Sequence, residues 1–142
     1  MSWDSYIDNL IGNSKSADGT AHIDKACIFG KDGAPYTTDG HTGSLVASAA
    51  EKAKIFNELN KGDQCEFGAT GIVLGGTKYQ FLRIDSDSRL ALGKKKGSGS
   101  ITVQGTSATG LVIVAHCPEG AQHGNCNDAV QKVITYLAGS GY

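Results

Sequence analysis

Between Cys65 and His116 the chain carries a succession of strand-length apolar segments with short connections. Parallel neighbours need a dozen or more residues between them, so these segments can only pair antiparallel, as a meander. Ile72-Val73-Leu74 is followed by Gly75-Gly76 and then by Thr77 to Ile84. Two adjacent glycines between such runs suit the primed turn of a tight hairpin. Asp85 to Ser88 makes the next turn and Leu90-Ala91-Leu92 the next strand. Ile101-Thr102-Val103 follows a glycine-serine loop, and Leu111 to Ala115 is a continuous apolar run. That run reads as a central strand covered on both faces.

The flanks change period. Trp3, Ile7, Leu10 and Ile11 form an amphipathic helical stripe with Tyr6 at its edge. Ser2 suits its N-cap and Gly12-Asn13 its end. Ser14 to Thr20 is a polar loop. Ala26 to Gly30 reads as a buried strand, Lys31-Asp32-Gly33 as a turn, and Ala34 to Thr38 as a short second strand. Leu45, Ala49, Ala53, Phe56 and Leu59 predict a second helix over 44–60, stopped by Lys61-Gly62-Asp63. Val130, Val133, Ile134 and Leu137 predict a last helix that starts near Asn125 or Asn127 and ends at Gly139-Ser140-Gly141. The sum is one α+β domain over residues 1–142, a central antiparallel β-sheet covered by helices.

Composition narrows the function classes. A net charge of -1 gives no global positive field to draw nucleic acid or an anionic membrane. No stretch approaches the roughly eighteen apolar residues of a membrane span, and no basic-then-apolar leader opens the chain. Cys27, Cys65, Cys117 and Cys126 lack C-x-x-C spacing and read as reduced thiols in a cytoplasmic protein.

No motif of catalysis is present: the chain lacks G-x-S-x-G, H-E-x-x-H and a phosphate-binding P-loop, and calls for no cofactor. Lys94-Lys95-Lys96-Gly97-Ser98-Gly99-Ser100 is basic and glycine-rich, but it joins two strands and so reads as a hairpin tip or charged contact surface. His116, Cys117, His123 and Cys126 are potential zinc ligands, yet adjacent His116 and Cys117 on a strand point to opposite faces. No metal site is expected from them.

The aromatic residues are distributed unevenly. Trp3, Tyr6, Tyr136 and Tyr142 lie in the two terminal segments. If the terminal helices lie side by side, these rings converge. Flat rings with indole and phenol donors at their edges suit a polyproline II ligand, whose rings slot between them and whose carbonyls are unpaired.

Four segments carry a family resemblance. SWDSYIDNL, GIVLGGTKYQFLR, GKKKGSGSITV and HGNCNDAVQKVITYL, in that order, resemble the first helix, central hairpin, basic loop and last helix of the profilin family. The resemblance implies terminal helices together on one face of the sheet and the middle helix on the other. It implies a polyproline-binding site at Trp3, Tyr6, Tyr36, Tyr136, Leu137 and Tyr142. Tyr36 stands where the family usually has a tryptophan. It implies an actin-binding surface at Lys78, Phe81, Arg83, Lys94, Lys95, His123, Gly124, Asn127 and Gln131, with Phe81 as its apolar centre. Lys132 stands near a position that is acidic in some relatives.

The implied function is a non-enzymatic, cytoskeleton-associated adaptor. It would bind monomeric actin on one face and proline-rich filament-assembly factors on another, and so regulate actin filament assembly. Phosphoinositide binding is also implied, weak and salt-sensitive because basic residues are few. The rival is a small-ligand sensor or enzyme domain on a similar sheet, and a second alternative keeps polyproline and lacks actin.

Overall fold

The computed structural model describes residues 3–106 and 110–142. Ser2, expected as the first N-cap, lies outside the described residues. Six strands form one antiparallel sheet in the order β1-β6-β5-β4-β3-β2. They are β1 Lys25–Phe29, β2 Ile72–Leu74, β3 Thr77–Asp85, β4 Leu90–Lys95, β5 Gly99–Gly105 and β6 Val112–Cys117. From β2 to β6 each strand pairs with the next in sequence, the meander that short turns demand. The β2–β3 hairpin turns on Gly75 and Gly76, both at positive φ (58° and 80°). That pair of left-handed residues is what a tight primed turn requires.

Four helices cover the sheet: α1 Asp4–Asn13, α2 Ala49–Lys61, α3 Phe67–Thr70 and α4 His123–Gly139. Alternation along the strands sorts the core into two layers. Ile28, Ile113, Ala115 and Cys117 pack with Leu10, Val130, Val133 and Leu137 under the terminal helices. Phe29, Val112, Val114, Ile101 and Val103 pack on the other side with Ile55, Phe56, Leu59 and Phe67. The terminal helices therefore share one face and the middle helix takes the opposite one.

Three boundaries differ from the sequence reading. The middle helix starts at Ala49, because Ser48 is extended and closes a capping box with Glu51. Leu45 fits the helical period but is buried in the lead-in, where its N–H donates to the Ala26 carbonyl. Ala34 to Thr38 is no strand. A 3-10 turn over Lys31–Gly33 precedes a single bridge between Phe29 and Pro35, and proline has no N–H with which to extend a ladder. The last helix begins at His123, earlier than expected.

The open edge of β1 is covered by this irregular stretch. Ala26 donates to the Gly43 carbonyl, Tyr36 and Thr37 donate to the Ile28 carbonyl, and Ile28 N–H donates to Thr37 Oγ1. Capping an edge strand in this way removes a template for unwanted pairing. It also brings Tyr36 to the start of α1.

Candidate functional site

The aromatic residues of the two termini converge. The Trp3 ring lies 5.4 Å from Tyr6, 4.9 Å from Tyr36 and 5.1 Å from Tyr142, centroid to centroid. Tyr6 lies 6.3 Å from Tyr136. Trp3 and Tyr6 are half-buried against the α1–α4 layer, while Tyr36, Tyr136 and Tyr142 are exposed. The result is a row of tilted rings, with Tyr142 meeting Trp3 edge-on at 83°, anchored below and open above. Leu137, expected among the ligand contacts, is fully buried beneath the rings. It holds the groove from the core side.

Each ring is placed by backbone chemistry. The Asp4 carboxylate accepts from both the N–H and the hydroxyl of Thr38, each at 2.7 Å, and His41 Nε2 lies 3.0 Å from Asp8 Oδ1. These two contacts tie the loop that carries Tyr36 to α1. Gly30 lets the Tyr36 ring lie flat on the chain: a Cβ there would stand 2.8 Å from the Tyr36 hydroxyl. Tyr142 is turned back by Gly141 at φ 96° and donates its N–H to the Leu137 carbonyl. Burial raises the pKa of Tyr6, and the neighbouring Tyr136 and Tyr142 add to the effect. Its hydroxyl therefore stays protonated, a donor, through the physiological range.

A second group of residues lies on β3, β4 and the first half of α4. Arg83 pairs across from Leu92, and Lys94 from both Gln80 and Ser100. A bulge between Phe81 and Arg83 changes the register there. Phe81 turns toward the middle-helix layer and packs on Phe67 at 6.0 Å. The exposed apolar residue of this strand is Leu82, in the bulge, which the sequence reading passed over. Lys78, Arg83, Lys94 and Lys95 are exposed. By alternation Lys94 shares the α4 face with Leu92, and Lys95 faces the other way.

His123, Asn127 and Gln131 recur at helical spacing and face β5. His123 Nε2 lies 3.0 Å from Thr102 Oγ1, which also donates to Asn127 Oδ1, and Gln104 Nε2 donates to Gln131 Oε1 at 2.8 Å. Thr102 and Gln104 are buried polar residues that the sequence reading did not single out. Their signal was present: they alternate with Ile101 and Val103 in a strand buried on both faces, where a polar side chain needs a partner. Gly124 is exposed in the first turn. Burial lowers the pKa of His123; a bond with the Ile101 backbone opposes this and the nearby Lys94 charge reinforces it.

A cleft of about 480 Å³ opens beside this group, lined by Lys94, Lys96, Ser100, Glu119 and His123 among others. Of the potential zinc ligands His116 turns away from the rest, while Thr102 Oγ1 lies 3.0 Å from His123 Nε2 and 3.5 Å from Cys126 Sγ. His116 Nδ1 lies 2.6 Å from Asp24 Oδ1 with its ring edge-on to Tyr79, whereas Cys117 lies under α4 with Cys126. All four cysteines are free thiols. Among the described residues no helix is long and apolar enough to cross a membrane.

Comparison with known proteins identifies the architecture. The Profilin family model matches residues 1–142. The chain belongs to the profilin family. A profilin of Strongylocentrotus purpuratus is 50% identical over 140 residues, 96% of each chain. Among solved structures, profilin IA of Acanthamoeba castellanii superposes with a TM-score of 0.78 at 28% identity, over 99% of this chain and 100% of that one. Two more distant profilins share the fold. LokiProfilin2, solved as a complex with rabbit actin, has a TM-score of 0.66 at 21% identity over 95% of this chain and 98% of that one. Mouse profilin IIa, solved with a double repeat from the FH1 domain of mDia1, has a TM-score of 0.67 at 24% identity over the whole of both chains.

Proposed function

We propose that this profilin is a non-enzymatic adaptor with two binding faces, one for proline-rich segments and one for monomeric actin. The observation that carries the reading is the ring row of Trp3 with Tyr6, Tyr36 and Tyr142, continued by Tyr136. Its half-buried rings are held in place before a ligand arrives, so binding costs little conformational entropy. A polyproline II segment is equally rigid and presents unpaired carbonyls to the Trp3 and Tyr6 donors. Mouse profilin IIa with its FH1 repeat is a precedent for the ligand class.

The actin face is the surface of Lys78, Arg83, Lys94, His123, Gly124, Asn127 and Gln131; Phe81 and Lys95, expected with them, turn toward the other face of the sheet. LokiProfilin2 with rabbit actin supplies the precedent for that partner. Here Leu82 joins the surface as its exposed apolar element, and the Thr102 and Gln104 bonds fix the α4 side chains before contact. From His123 to Tyr136 the α4 axis runs about 20 Å at 1.5 Å per residue. Both faces can therefore be filled together, and the protein can hand actin monomers to a filament-assembly factor. The exposed Lys94 and Lys96, which line the cleft beside His123, support weak, salt-sensitive phosphoinositide binding on the same side. The setting for these partners is the cytoplasm and its cytoskeleton.

The test is tryptophan fluorescence during titration with decaproline. Trp3 is the only tryptophan, so any change reports on this one place. A saturable change that Tyr6→Ala removes from a folded protein is expected. A silent titration, repeated by calorimetry, would reduce Trp3 to a core anchor.

A further inference from the structure

The ring row does not end at Tyr136. On α1, Trp3, Tyr6, Asn9 and Asn13 fall on one stripe at helical spacing. Facing it on α4 are Tyr136, Val133 and Lys132. Tyr6, Asn9, Asn13, Lys132, Val133 and Tyr136 together line a groove of about 350 Å³ between the two helices. Tyr6 and Tyr136 belong both to this groove and to the ring row, so the two are continuous. The character changes along the way. Rings give way to an apolar floor at Val133, rimmed by two exposed amides and one exposed ammonium.

Lys132 is the only charged residue in that lining. Among the described residues the ion pairs are His41–Asp8, Lys61–Glu58 and His116–Asp24, so none of their carboxylates neutralises it. Asp128, one turn earlier on α4, is not within pairing distance. Asn9 and Asn13 can each donate to a ligand carbonyl.

We infer that this groove is a polar extension of the proline site, in which Lys132 selects ligands with an acidic residue beside the proline run. The inference rests on the proline-binding reading above. Its occupant is the flank of the same ligand, because the groove leaves the ring row without a break and its single charge is positive. The register follows from geometry. Lys132 precedes Tyr136 by four residues, about 6 Å along the helix at 1.5 Å per residue. A polyproline II chain advances about 3.1 Å per residue, so the acidic side chain falls about two positions beyond the proline seated on Tyr6 and Tyr136.

The test compares five peptides with blocked termini: decaproline, and decaproline carrying glutamate or lysine two positions beyond the run at one end or the other. Trp3 fluorescence and calorimetry give each Kd at low and high salt. At low salt the glutamate flank at one end should bind about two- to fivefold tighter than the lysine flank, the scale of an exposed ion pair. Salt should erase the difference. Lys132→Gln should remove the glutamate preference and Lys132→Glu should invert it, with thermal melts confirming the fold. Equal Kd values for both flanks on the unmodified protein, with decaproline binding intact, would overturn the extension alone. So would a preference that survives Lys132→Gln. If decaproline itself fails to bind, the ring-row reading falls and the extension falls with it.

Discussion

Asp4, the first residue of α1, grips Thr38 by two hydrogen bonds of 2.7 Å across 34 positions of sequence. The grip sets the distance between Trp3, beside Asp4, and Tyr36, two residues before Thr38. It also lowers the pKa of Asp4, through the Thr38 hydroxyl first and its N–H second. A carboxyl with a depressed folded pKa stabilises the fold above its unfolded value, near 3.8, and loses that contribution as pH falls through the folded one. The clamp is therefore intact at every physiological pH. Asp4→Ala should loosen the Tyr36 loop and weaken decaproline binding severalfold, although every ring of the row is still present. Unchanged affinity in a fluorescence titration would show that the loop is held by its bonds to β1 instead.

Gly30 offers a second handle on Tyr36. An added Cβ meets the far end of the Tyr36 side chain and not backbone, so the ring can swing away at little cost to the fold. Gly30→Ala should leave the melting temperature within a few degrees of the parent and still lower decaproline affinity. A fall in affinity matched by a large fall in stability would mean that the substitution disturbed β1 itself.

What the sequence made legible follows from periodicity. The Gly75-Gly76 turn, the apolar run before His116 and the terminal stripes were readable because each is a local pattern with one structural solution. The middle helix was overextended because Leu45 fits a helical stripe by chance of spacing. The Ser48-x-x-Glu51 signature, which marks the real start, stands three positions after Leu45. The ring convergence could be anticipated, since amphipathic helices at both ends must bury their stripes somewhere. The outward pair Leu82 and Arg83 could not: Phe81 faces inward with Tyr79 by plain alternation, but the bulge after it passes the inward position to Ile84 and leaves no local mark. Leu137 belongs to the apolar stripe by its spacing and joins the rings only through the family resemblance; adjacent residues on a helix face about 100° apart, and the structure buries Leu137 while Tyr136 is exposed.

That angular difference gives a clean pair of variants. Leu137→Ala removes a fully buried side chain and should cost about 2–5 kcal/mol, with a large drop in melting temperature. Tyr136→Ala, at an exposed position, should leave stability nearly unchanged and reduce decaproline affinity. Chemical denaturation and peptide titration on both proteins would separate the roles. A Leu137→Ala protein of full stability and poor binding would return Leu137 to the contact surface.

Glu51 closes the capping box with Ser48 and also accepts from the N–H groups of Gly75 and Gly76, at 3.0 and 3.1 Å. Burial alone would raise its pKa, but the bonds from Ser48, Gly76 and Gly75 outweigh it and hold the carboxyl below its usual value. One side chain thus starts α2 and fastens the β2–β3 turn to it. Ser48→Ala should cost about 1 kcal/mol, roughly 4 °C of melting temperature. Glu51→Ala should cost more, because it releases the hairpin as well. Equal melts for the two variants would show that the Gly75 and Gly76 bonds contribute nothing.

The two-face reading is most exposed to test on the strand side. Arg83 and Lys94 project from β3 and β4 into solvent, far along the sheet from the ring row, and neither is in an ion pair among the described residues. Reversing either to glutamate breaks no internal ion pair, so the fold should be unaffected. Rim charges act mainly on encounter rate, and that action is screened by salt. Arg83→Glu and Lys94→Glu should therefore weaken actin-monomer binding roughly tenfold at low salt, chiefly through slower association, with decaproline affinity unchanged. If both binding activities fell together in a folded variant, the two faces would be coupled, and simultaneous delivery of actin to a proline-bound factor would need another explanation. If neither fell, the actin contact would have to centre on Leu82 and α4, where the Thr102 and Gln104 bonds already hold Asn127 and Gln131 in place.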